Sequence, residues 1–260
     1  MARFCPLASG SSGNSTYISC GDSALIIDAG ISYKAMAERV KSAGGDIEKI
    51  SAVALTHSHI DHISGIKTLL TKTGAPLFTT EESVLALMEK GLLPQGTEVI
   101  LSDGATAFGD MEIVPFKTSH DAAGSRGFRV RTAAGDCVVC TDLGIVTDEV
   151  RSALSGCNTV LFEFNHDLDM LRRGPYRPDL KIRILSDLGH LSNVSAAAEV
   201  PFLLESGVKQ IICGHISRQN NTPDIALSSA RIAAESAGAK ENVDFLLSAA
   251  RPGMSEVSVF

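Results

Sequence analysis

Four side chains that commonly bind metal ions lie within six residues of this chain, at His57, His59, Asp61 and His62. His57 and His59 are two positions apart in a segment that reads as extended, so their rings can point the same way. Asp61 and His62 lie beyond a turn and can face a second position. The spacing therefore suits two adjacent ions. Imidazole and carboxylate ligands without a thiolate favour Zn²⁺ or Mn²⁺, with iron as an alternative.

Four local ligands cannot complete two metal sites, so further ligands must come from elsewhere in the chain. His120, Asp142 and His215 each follow an apolar run, at the position where a strand would end. Asp142 is the natural bridge, because a carboxylate has two oxygens for two cations. A metal-bridging hydroxide could then attack an electrophilic centre, so the seven residues predict a two-metal hydrolase.

A further histidine, His190, lies just ahead of a predicted helix over residues 194–206. An imidazole has an ordinary pKa of about 6.5 and could protonate a departing oxygen. The helix N-terminus, capped by Ser192 or Asn193, has free amides and a positive dipole end, where a phosphate could bind. We expect His190 to be catalytic, with a capping or core role as the alternative.

His166 is the one remaining histidine of the seven, and it lies between Asn165 and Asp167. These polar neighbours could fix the ring structurally, or the motif could contact substrate. Both interpretations stay open, and Asn165 and His166 are candidate substrate contacts.

Two further segments could contact phosphates. Five basic residues fall within twelve positions of an acidic chain: Arg172, Arg173, Arg177, Lys181 and Arg183. They could grip a phosphate backbone, although a solvated face balanced by nearby aspartates fits equally well. The loop that contains Ser11, Ser12 and Asn14 has small residues and hydroxyls that let a backbone approach a ligand, but a tight turn between strands uses the same residues.

Apolar runs and helical patterns indicate the elements that position these residues. Strands are predicted at residues 24–28, 50–56, 112–116, 128–131, 137–141, 159–164 and 210–213. Helices are predicted at residues 33–43, 62–71, 81–90, 148–154, 194–206 and 223–237. In one region the predicted strands follow one another directly, and elsewhere helices separate them. This combination favours an α/β (α+β) fold with packed sheets and outer helices. A four-layer αββα sandwich in one domain, residues 1–260, fits this pattern.

Composition excludes some classes of protein. The net charge of −7 argues against nonspecific adhesion to nucleic acid or acidic membranes, although a metal-filled cleft can be locally positive. No apolar run approaches the roughly 18 residues that span a bilayer, so we expect a cytoplasmic protein without a membrane partner. The six cysteines are expected to be reduced thiols rather than a disulfide scaffold. Cys137 and Cys140 should be buried on opposite faces of a strand rather than form a redox or zinc pair.

The order of the ligand-type residues resembles that of metallo-β-lactamase-fold hydrolases. The matching residues are His57, His59, Asp61, His62, His120, Asp142 and His215, and Asp28 is similar to the structural aspartate that supports the ligand loop in that superfamily. The resemblance implies the αββα sandwich made of two mixed sheets. It also implies one metal held by His57, His59 and His120, another held by Asp61, His62 and His215, and Asp142 between them.

Four motifs narrow the resemblance to one branch, the YycJ-type or WalJ-type DNA exonucleases. The motifs occupy residues 7–15, 165–167, 189–193 and 215–221. The resemblance implies Mn²⁺-supported 5′-to-3′ exonuclease action on DNA in repair-related processing. Asp61 and His190 are then the expected catalytic residues, and Ser217 and Arg218 join the candidate substrate contacts.

Other functions fit parts of the pattern. The same metal pair could hydrolyse a small phosphodiester, an ester or a lactone, because this fold hosts many reactions. Thioesterase relatives usually carry Gly-His-Thr-Pro-Gly at the third ligand position, whereas this chain has Thr118-Ser119-His120-Asp121. An RNA-processing nuclease also stays open, since phosphate contacts do not separate RNA from DNA. A non-catalytic binding module is disfavoured because all seven ligands are present, and the sequence leaves open whether the chain forms a homodimer.

Overall fold

A computed structural model describes all 260 residues and contains two seven-stranded sheets, with elements numbered in chain order. The first sheet has the order β14 (Ser258–Val259), β1 (Ala2–Ala8), β2 (Ser15–Cys20), β3 (Ser23–Ile27), β4 (Ala52–Ala54), β5 (Leu77–Thr79) and β6 (Val99–Leu101). The second has the order β13 (Leu246–Ala249), β12 (Gln210–Gly214), β11 (Thr159–Glu163), β10 (Cys137–Cys140), β9 (Arg126–Thr132), β8 (Met111–Lys117) and β7 (Thr106–Phe108).

Nine α-helices accompany the sheets. They are α1 (Tyr33–Ser42), α2 (Ile60–Ile63), α3 (Ile66–Thr73), α4 (Glu81–Glu89), α5 (Asp148–Leu154), α6 (Leu168–Arg173), α7 (Pro178–Leu185), α8 (Asn193–Glu205) and α9 (Pro223–Ser236). Local sequence sets several of the ends. Thr222 caps α9 and Pro223 opens it, while Gly74, with φ of 63°, ends α3 in the left-handed conformation. None of these helices could cross a bilayer.

The two sheets pack face to face over a shared apolar layer. Phe4, Leu25 and Phe78 come from the first sheet, and Phe128 and Leu161 come from the second. A second cluster joins the outer face of the first sheet to α1 and α3, and a third joins the second sheet to α5, α8 and α9. The layers therefore follow the predicted αββα order.

Side chains alternate between these layers along single strands, because successive residues of a strand face opposite ways. In β3, Leu25 and Ile27 lie in the layer between the sheets, while Ile26 lies under the helices. In β10, Cys137 lies between the sheets and Cys140 lies on the helix side, both buried. The prediction of buried cysteines on opposite faces is confirmed.

Each predicted strand is present, and five of the six predicted helices are present within a residue or two. The helix predicted over residues 62–71 is wrong in one respect, because it is divided into α2 and α3 at Ser64 and Gly65. The Gly65 N–H donates to Ala29 O, and a Cβ there would lie 2.0 Å from Ile31 O. The break therefore lets the chain pack tightly against the loop after β3.

Parallel pairing determines where the functional side chains meet. Strands β10, β11 and β12 are parallel, and so are β3 and β4. The carboxyl ends of parallel strands lie at the same edge of a sheet, so the residues that follow them come together there.

Candidate metal centre

Ligand-type side chains from both sheets converge at one edge of the sandwich. His57 follows β4 of the first sheet, while Asp142 and His215 follow β10 and β12 of the second. Glu163, the last residue of β11, pairs with Gly214 in the parallel register, which brings it beside His215. The strand ends thus bring together residues that are far apart in the sequence.

Three histidines form the first group that could hold a metal ion. His57 Nε2 lies 3.1 Å from His59 Nδ1, and His59 Nδ1 lies 3.2 Å from His120 Nε2. Nitrogen ligands about 2.0 Å from one tetrahedral zinc ion are themselves about 3.3 Å apart. The two separations match that value, and the ligand atoms of all three residues lie within 4.8 Å of one another, so the group could share one ion.

The second group contains Asp61, His62 and His215. Asp61 Oδ2 lies 3.6 Å from His62 Nε2 and 3.7 Å from His215 Nε2. His62 and His215 are buried, while Asp61 keeps part of its side chain exposed. This group is the predicted second ligand set.

Asp142 lies between the two groups. Its Oδ2 is 3.4 Å from His62 Nε2, and its Oδ1 is 3.9 Å from His120 Nε2. Asp142 Oδ2 and His215 Nε2 are buried and have no hydrogen-bond partner. Buried polar atoms without partners are rare and costly, so a cation between these atoms fits the donor set.

Asp28 fixes the ligand loop. Its carboxylate accepts hydrogen bonds from Thr56 N at 2.8 Å and from His62 Nδ1 at 2.8 Å. The bond to Nδ1 orients the His62 ring so that Nε2 points toward the centre, which is how second-sphere carboxylates orient metal-binding histidines. The structural role predicted for Asp28 is to support the ligand loop, and the contacts to Thr56 and His62 are the ones that such a role would use.

In three other histidines, the ring nitrogen that points away from the centre also has a hydrogen-bond partner. His57 Nδ1 lies 3.0 Å from Thr56 Oγ1, and His120 Nδ1 lies 3.1 Å from Gly189 O. His215 Nδ1 lies 2.8 Å from Glu163 Oε1. Each bond leaves Nε2 free to face the centre.

Backbone strain concentrates at the same edge. Asp28, Asp142 and His215 have φ values of 62°, 59° and 51°, and Asn242 is the only other non-glycine residue with a positive φ. The left-handed region costs about 1–3 kcal/mol for such residues, and strain of this kind clusters at functional sites. The strands thus end abruptly, which directs the side chains inward.

The charged groups of the centre shift one another's pKa values. Burial alone would raise the pKa of Asp61, but the nearby rings of His215 and His62 hold it well below its usual range. Burial alone would lower the pKa of His62, but Asp28 and Asp142 raise it to about 9. Carboxylates and positive charge therefore stabilise each other here, which is the electrostatic setting of a cation site.

Glu163 is a further candidate residue of the centre, and the sequence analysis missed it. It is fully buried, and its Oε1 lies 3.0 Å from His190 Nδ1 as well as 2.8 Å from His215 Nδ1. Its Oε2 accepts hydrogen bonds from the backbone N–H groups of Leu143 and Leu191. The available signal was a single carboxylate at the end of an otherwise apolar strand.

Asn14 is buried against the second ligand group rather than lying on an open surface. Its Nδ2 lies 3.2 Å from Asp61 Oδ2 and 3.0 Å from His62 Nε2. The Gly10 N–H donates to its Oδ1, which fixes the turn between β1 and β2. Ser12 in the same turn is exposed.

A cavity of about 310 Å³ opens over the centre. Of the predicted substrate contacts, Ser11, Asn165 and Ser217 line it, together with Asp61 and His190. Arg183 of the predicted basic segment lines it as well, and so do Tyr176, Leu180 and Ile184, for which no role was predicted. The cavity therefore combines the metal-binding side chains with one wall made by α7.

Other predicted contacts lie outside that cavity. Ser192 caps α8 through the N–H of Ser195, and Asn193 hydrogen-bonds to Asn221. The ring of His166 is buried, its nitrogens have no hydrogen-bond partner, and burial lowers its pKa to about 4. Arg218 is exposed.

The predicted basic segment forms α6, α7 and the turn between them. Some of its positive charges have partners within the protein and others do not. Lys181 Nζ donates to two backbone carbonyls, Arg177 pairs with Asp179, and Arg183 pairs with Asp121. Arg172 faces Asp169 only at 3.8 Å, and Arg173 is exposed without an ion pair. These last two are the cations that remain available to a ligand.

A larger cavity of about 790 Å³ lies beside His120. Lys117 and Arg126 contribute positive charge to it, but Arg126 is paired with Asp103. Four carboxylate residues line the same cavity: Glu81, Glu82, Asp103 and Glu149. This acidic lining disfavours a phosphate backbone.

Comparison with known proteins adds independent findings. A beta-lactamase superfamily domain matches residues 24–216. The exodeoxyribonuclease YycJ of Bacillus anthracis is 36% identical over 229 residues, which cover 87% of this chain and 87% of that protein. The exodeoxyribonuclease WalJ of Streptococcus pneumoniae serotype 2 is 36% identical over 228 residues, which cover 86% of this chain and 85% of that protein.

The fold has counterparts among solved structures. The metallo-beta-lactamase fold protein YhfI from Bacillus subtilis superposes with a TM-score of 0.74 at 17% sequence identity. The alignment covers 99% of this chain and 98% of YhfI. At that identity the match concerns the fold alone, and it confirms the predicted sandwich of two mixed sheets.

Proposed function

Because this chain belongs to the beta-lactamase superfamily, among relatives of the exodeoxyribonucleases YycJ and WalJ, we propose that it is a metal-dependent exodeoxyribonuclease. Such an enzyme hydrolyses phosphodiester bonds from an end of DNA. The observation that carries the proposal is the pair of ligand groups with Asp142 between them, in a chain that matches these relatives along most of its length. The oxygen and nitrogen donors suit divalent ions.

The proposed ligand sets follow the two groups. His57, His59 and His120 would hold one ion, and Asp61, His62 and His215 would hold the other, with Asp142 shared. Bound divalent ions would supply Lewis acidity toward the scissile phosphate and would activate water as the nucleophile. Mn²⁺ and Zn²⁺ are the proposed metals, with iron as the third candidate.

Two residues of the chain are proposed to move protons. His190 lines the cavity, and Glu163 accepts from its Nδ1, so its Nε2 is the atom that can protonate the leaving oxygen. Asp61 also lines the cavity, and its carboxylate can orient the attacking water and accept a proton from it. Glu163 makes no contact with the cavity and acts by holding His190 and His215.

Phosphate binding is assigned to the rim of the same cavity. Ser11, Asn165 and Ser217 line it and offer hydroxyl or amide groups to phosphate oxygens. The exposed Arg172, Arg173 and Arg218 would attract the rest of the strand. The proposal extends to 5′-to-3′ polarity, a role in DNA repair and a cytoplasmic location, which rest on the resemblance to bacterial exodeoxyribonucleases.

The test combines metal analysis with nuclease assays. Bound metal is measured first, and the protein is then given Mn²⁺ or Zn²⁺ with duplex DNA labelled at either end, single-stranded DNA, RNA and a small diester. We expect mononucleotide release from DNA, starting at the 5′ end. Activity on RNA or the small diester alone would replace the DNA proposal with the RNA-processing or small-molecule alternative.

Asp142→Asn is the decisive variant. It keeps the shape of the side chain but removes the shared charge. Replacing a residue that only supports a metal ligand lowers activity by up to ~100-fold, so replacing Asp142 itself should lower turnover by more than that. Asp148→Asn is the matched control, because Asp148 is fully exposed on α5. Equal rates in both variants would remove Asp142 from the site.

A further inference from the structure

The cavity over the metal centre has two chemically different sides. His59, Asp61 and His190 make one side polar. The opposite side comes from the α7 region, where Tyr176, Leu180 and Ile184 line the cavity. Leu180 and Ile184 are four residues apart and lie on one face of α7, and Tyr176, in the turn before the helix, lines the same cavity.

An exposed isoleucine belongs to the same cavity. Ile60 lies between the ligand-type residues His59 and Asp61, lines the cavity and is 66% exposed. A large apolar side chain in that position exposes apolar surface to water. Together with Tyr176, Leu180 and Ile184 it makes an apolar lining next to the metal-binding atoms.

The α7 side of the cavity is held rigidly. Lys181 Nζ donates to Arg172 O at 2.8 Å and to Gly174 O at 2.7 Å, which closes the turn that carries Tyr176. Pro175 and Pro178 flank that turn and restrict its backbone. Arg183 on α7 pairs with Asp121, the residue after His120. The backbone that carries Tyr176 is therefore tied to α7 and, through Arg183, to the loop that carries His120.

We propose that this apolar side is the subsite for the base of the nucleotide being removed, with the Tyr176 ring as its stacking surface. The inference rests on the proposed function and names a part of the substrate that this function leaves unassigned. With the phosphate at the metal-binding side, the adjoining nucleoside reaches the α7 wall in the same cavity. Aromatic side chains stack on any base, since every base has a π face.

The lining also predicts how selective the subsite is. Reading a base edge requires polar groups with fixed directions. On the α7 side, Arg183 is the only charged residue, and it is already paired with Asp121. The subsite therefore holds a base without distinguishing the four bases. The whole cavity, at about 310 Å³, is at the low end of the range for small-ligand pockets, so it suits one nucleotide rather than an intact duplex end.

A double-mutant cycle between enzyme and substrate tests the proposal. The metal-loaded protein is given DNA whose terminal residue at the cleaved end is either a normal nucleotide or an abasic tetrahydrofuran, and kcat/KM is measured for release of that residue. Removing the base should slow the wild type ~10-fold, within the range expected for one stacking contact. Tyr176→Ala should slow cleavage of the normal end by a similar factor and leave the abasic end unchanged.

Matched variants separate stacking from damage to the fold. Tyr176→Phe keeps the ring and should behave as the wild type. Leu185→Ala changes an exposed residue of α7 that does not line the cavity, and it should leave both rates unchanged. The four normal terminal bases should be released at rates within about threefold of each other, as sequence-tolerant stacking predicts.

The outcomes are distinct. Equal losses in Tyr176→Ala on normal and abasic ends would mean that the ring and the base act independently, and this overturns the base subsite while leaving the exonuclease intact. Strong discrimination among the four bases by the wild type would also overturn it. If the metal-loaded wild type releases nothing from any DNA end, the proposed function itself fails, and the base subsite fails with it.

Discussion

At the scale of single residues, Glu163 links the two functions of the centre. One carboxylate oxygen of Glu163 is hydrogen-bonded to Nδ1 of both His190 and His215. The other oxygen accepts hydrogen bonds from the backbone N–H groups of Leu143 and Leu191. Burial would raise the pKa of this carboxyl, but the two histidines outweigh it and hold the pKa well below the usual range. The residue proposed to transfer a proton and a proposed metal ligand thus share one buried acceptor.

Glu163→Gln should be far from conservative. A glutamine has one carbonyl oxygen and one NH₂ group, so in either orientation the NH₂ group faces two N–H donors. We expect the free energy of unfolding to fall by about 2 kcal/mol or more, since each buried donor left without an acceptor costs roughly 1–3 kcal/mol. Urea denaturation of the metal-free protein measures this change.

Glu149→Gln is the control for that measurement. Glu149 is exposed and accepts one hydrogen bond, from Lys117 N. Its replacement should change the free energy of unfolding by less than about 1 kcal/mol, as for most surface substitutions. Similar losses in the two variants would show that the four donors around Glu163 carry no special cost.

Single residues also show what the sequence could predict about the centre. His57, His59, Asp61 and His62 are recognisable because their spacing is local, and Asp142 and His215 because apolar runs precede them. Glu163 carries only the weaker signal of a carboxylate inside a predicted strand, and Tyr176 carries none. The position of Glu163 beside His215 depends on the register of β11 and β12, and that of Tyr176 on the way α7 folds over the cavity.

At the scale of elements, long apolar runs were predictable and short ones were not. Strands such as β10 and β12 are buried parallel strands with continuous apolar residues. β6 and β7 have only three residues each, at the edges of their sheets, so their length does not indicate a strand. β1 is longer but contains Pro6, which is unfavourable inside a strand. The short helices α6 and α7 lie where the basic residues dominate the sequence pattern.

Three loops meet at Gly30, where an element-scale prediction can be made. The Gly30 N–H donates to Asn14 O, and the Asn14 N–H donates to Asp61 O, so the turn after β1, the loop after β3 and the ligand loop are joined. A Cβ at Gly30 would lie 1.6 Å from Asp61 O and 2.5 Å from Asn14 N. Both neighbours are backbone atoms and cannot rotate away.

Gly30→Ala should therefore push the ligand loop away from its position. We expect the metal dissociation constant to rise by ~10–100-fold, the range for changes that disturb the support of metal ligands. Metal titration followed by calorimetry measures it. Gly104→Ala is the control, because the nearest atom to a Cβ there is 3.8 Å away. Unchanged affinity in Gly30→Ala would show that the ligand loop tolerates the displacement.

At the scale of the whole molecule, each proposed ion would join the two halves of the sandwich. His57 and His59 follow the first sheet and His120 follows the second. Likewise, Asp61 and His62 belong to the first half and His215 to the second. Neither ligand set exists in one half alone, so metal binding is coupled to the packing of the sheets.

The stability of the entire chain should consequently depend on metal concentration. A ligand at 100 times its dissociation constant that binds only the folded state adds about 2.7 kcal/mol, and 1 kcal/mol moves the Tm of a protein near this size by roughly 2–4 °C. Adding Mn²⁺ or Zn²⁺ to chelator-treated protein should thus raise the Tm by about 5–10 °C per site, in one cooperative transition. His57→Ala and His215→Ala should each lose the increase in Tm that one site contributes. A wild-type Tm that does not change when metal is added would contradict a metal site shared between the sheets.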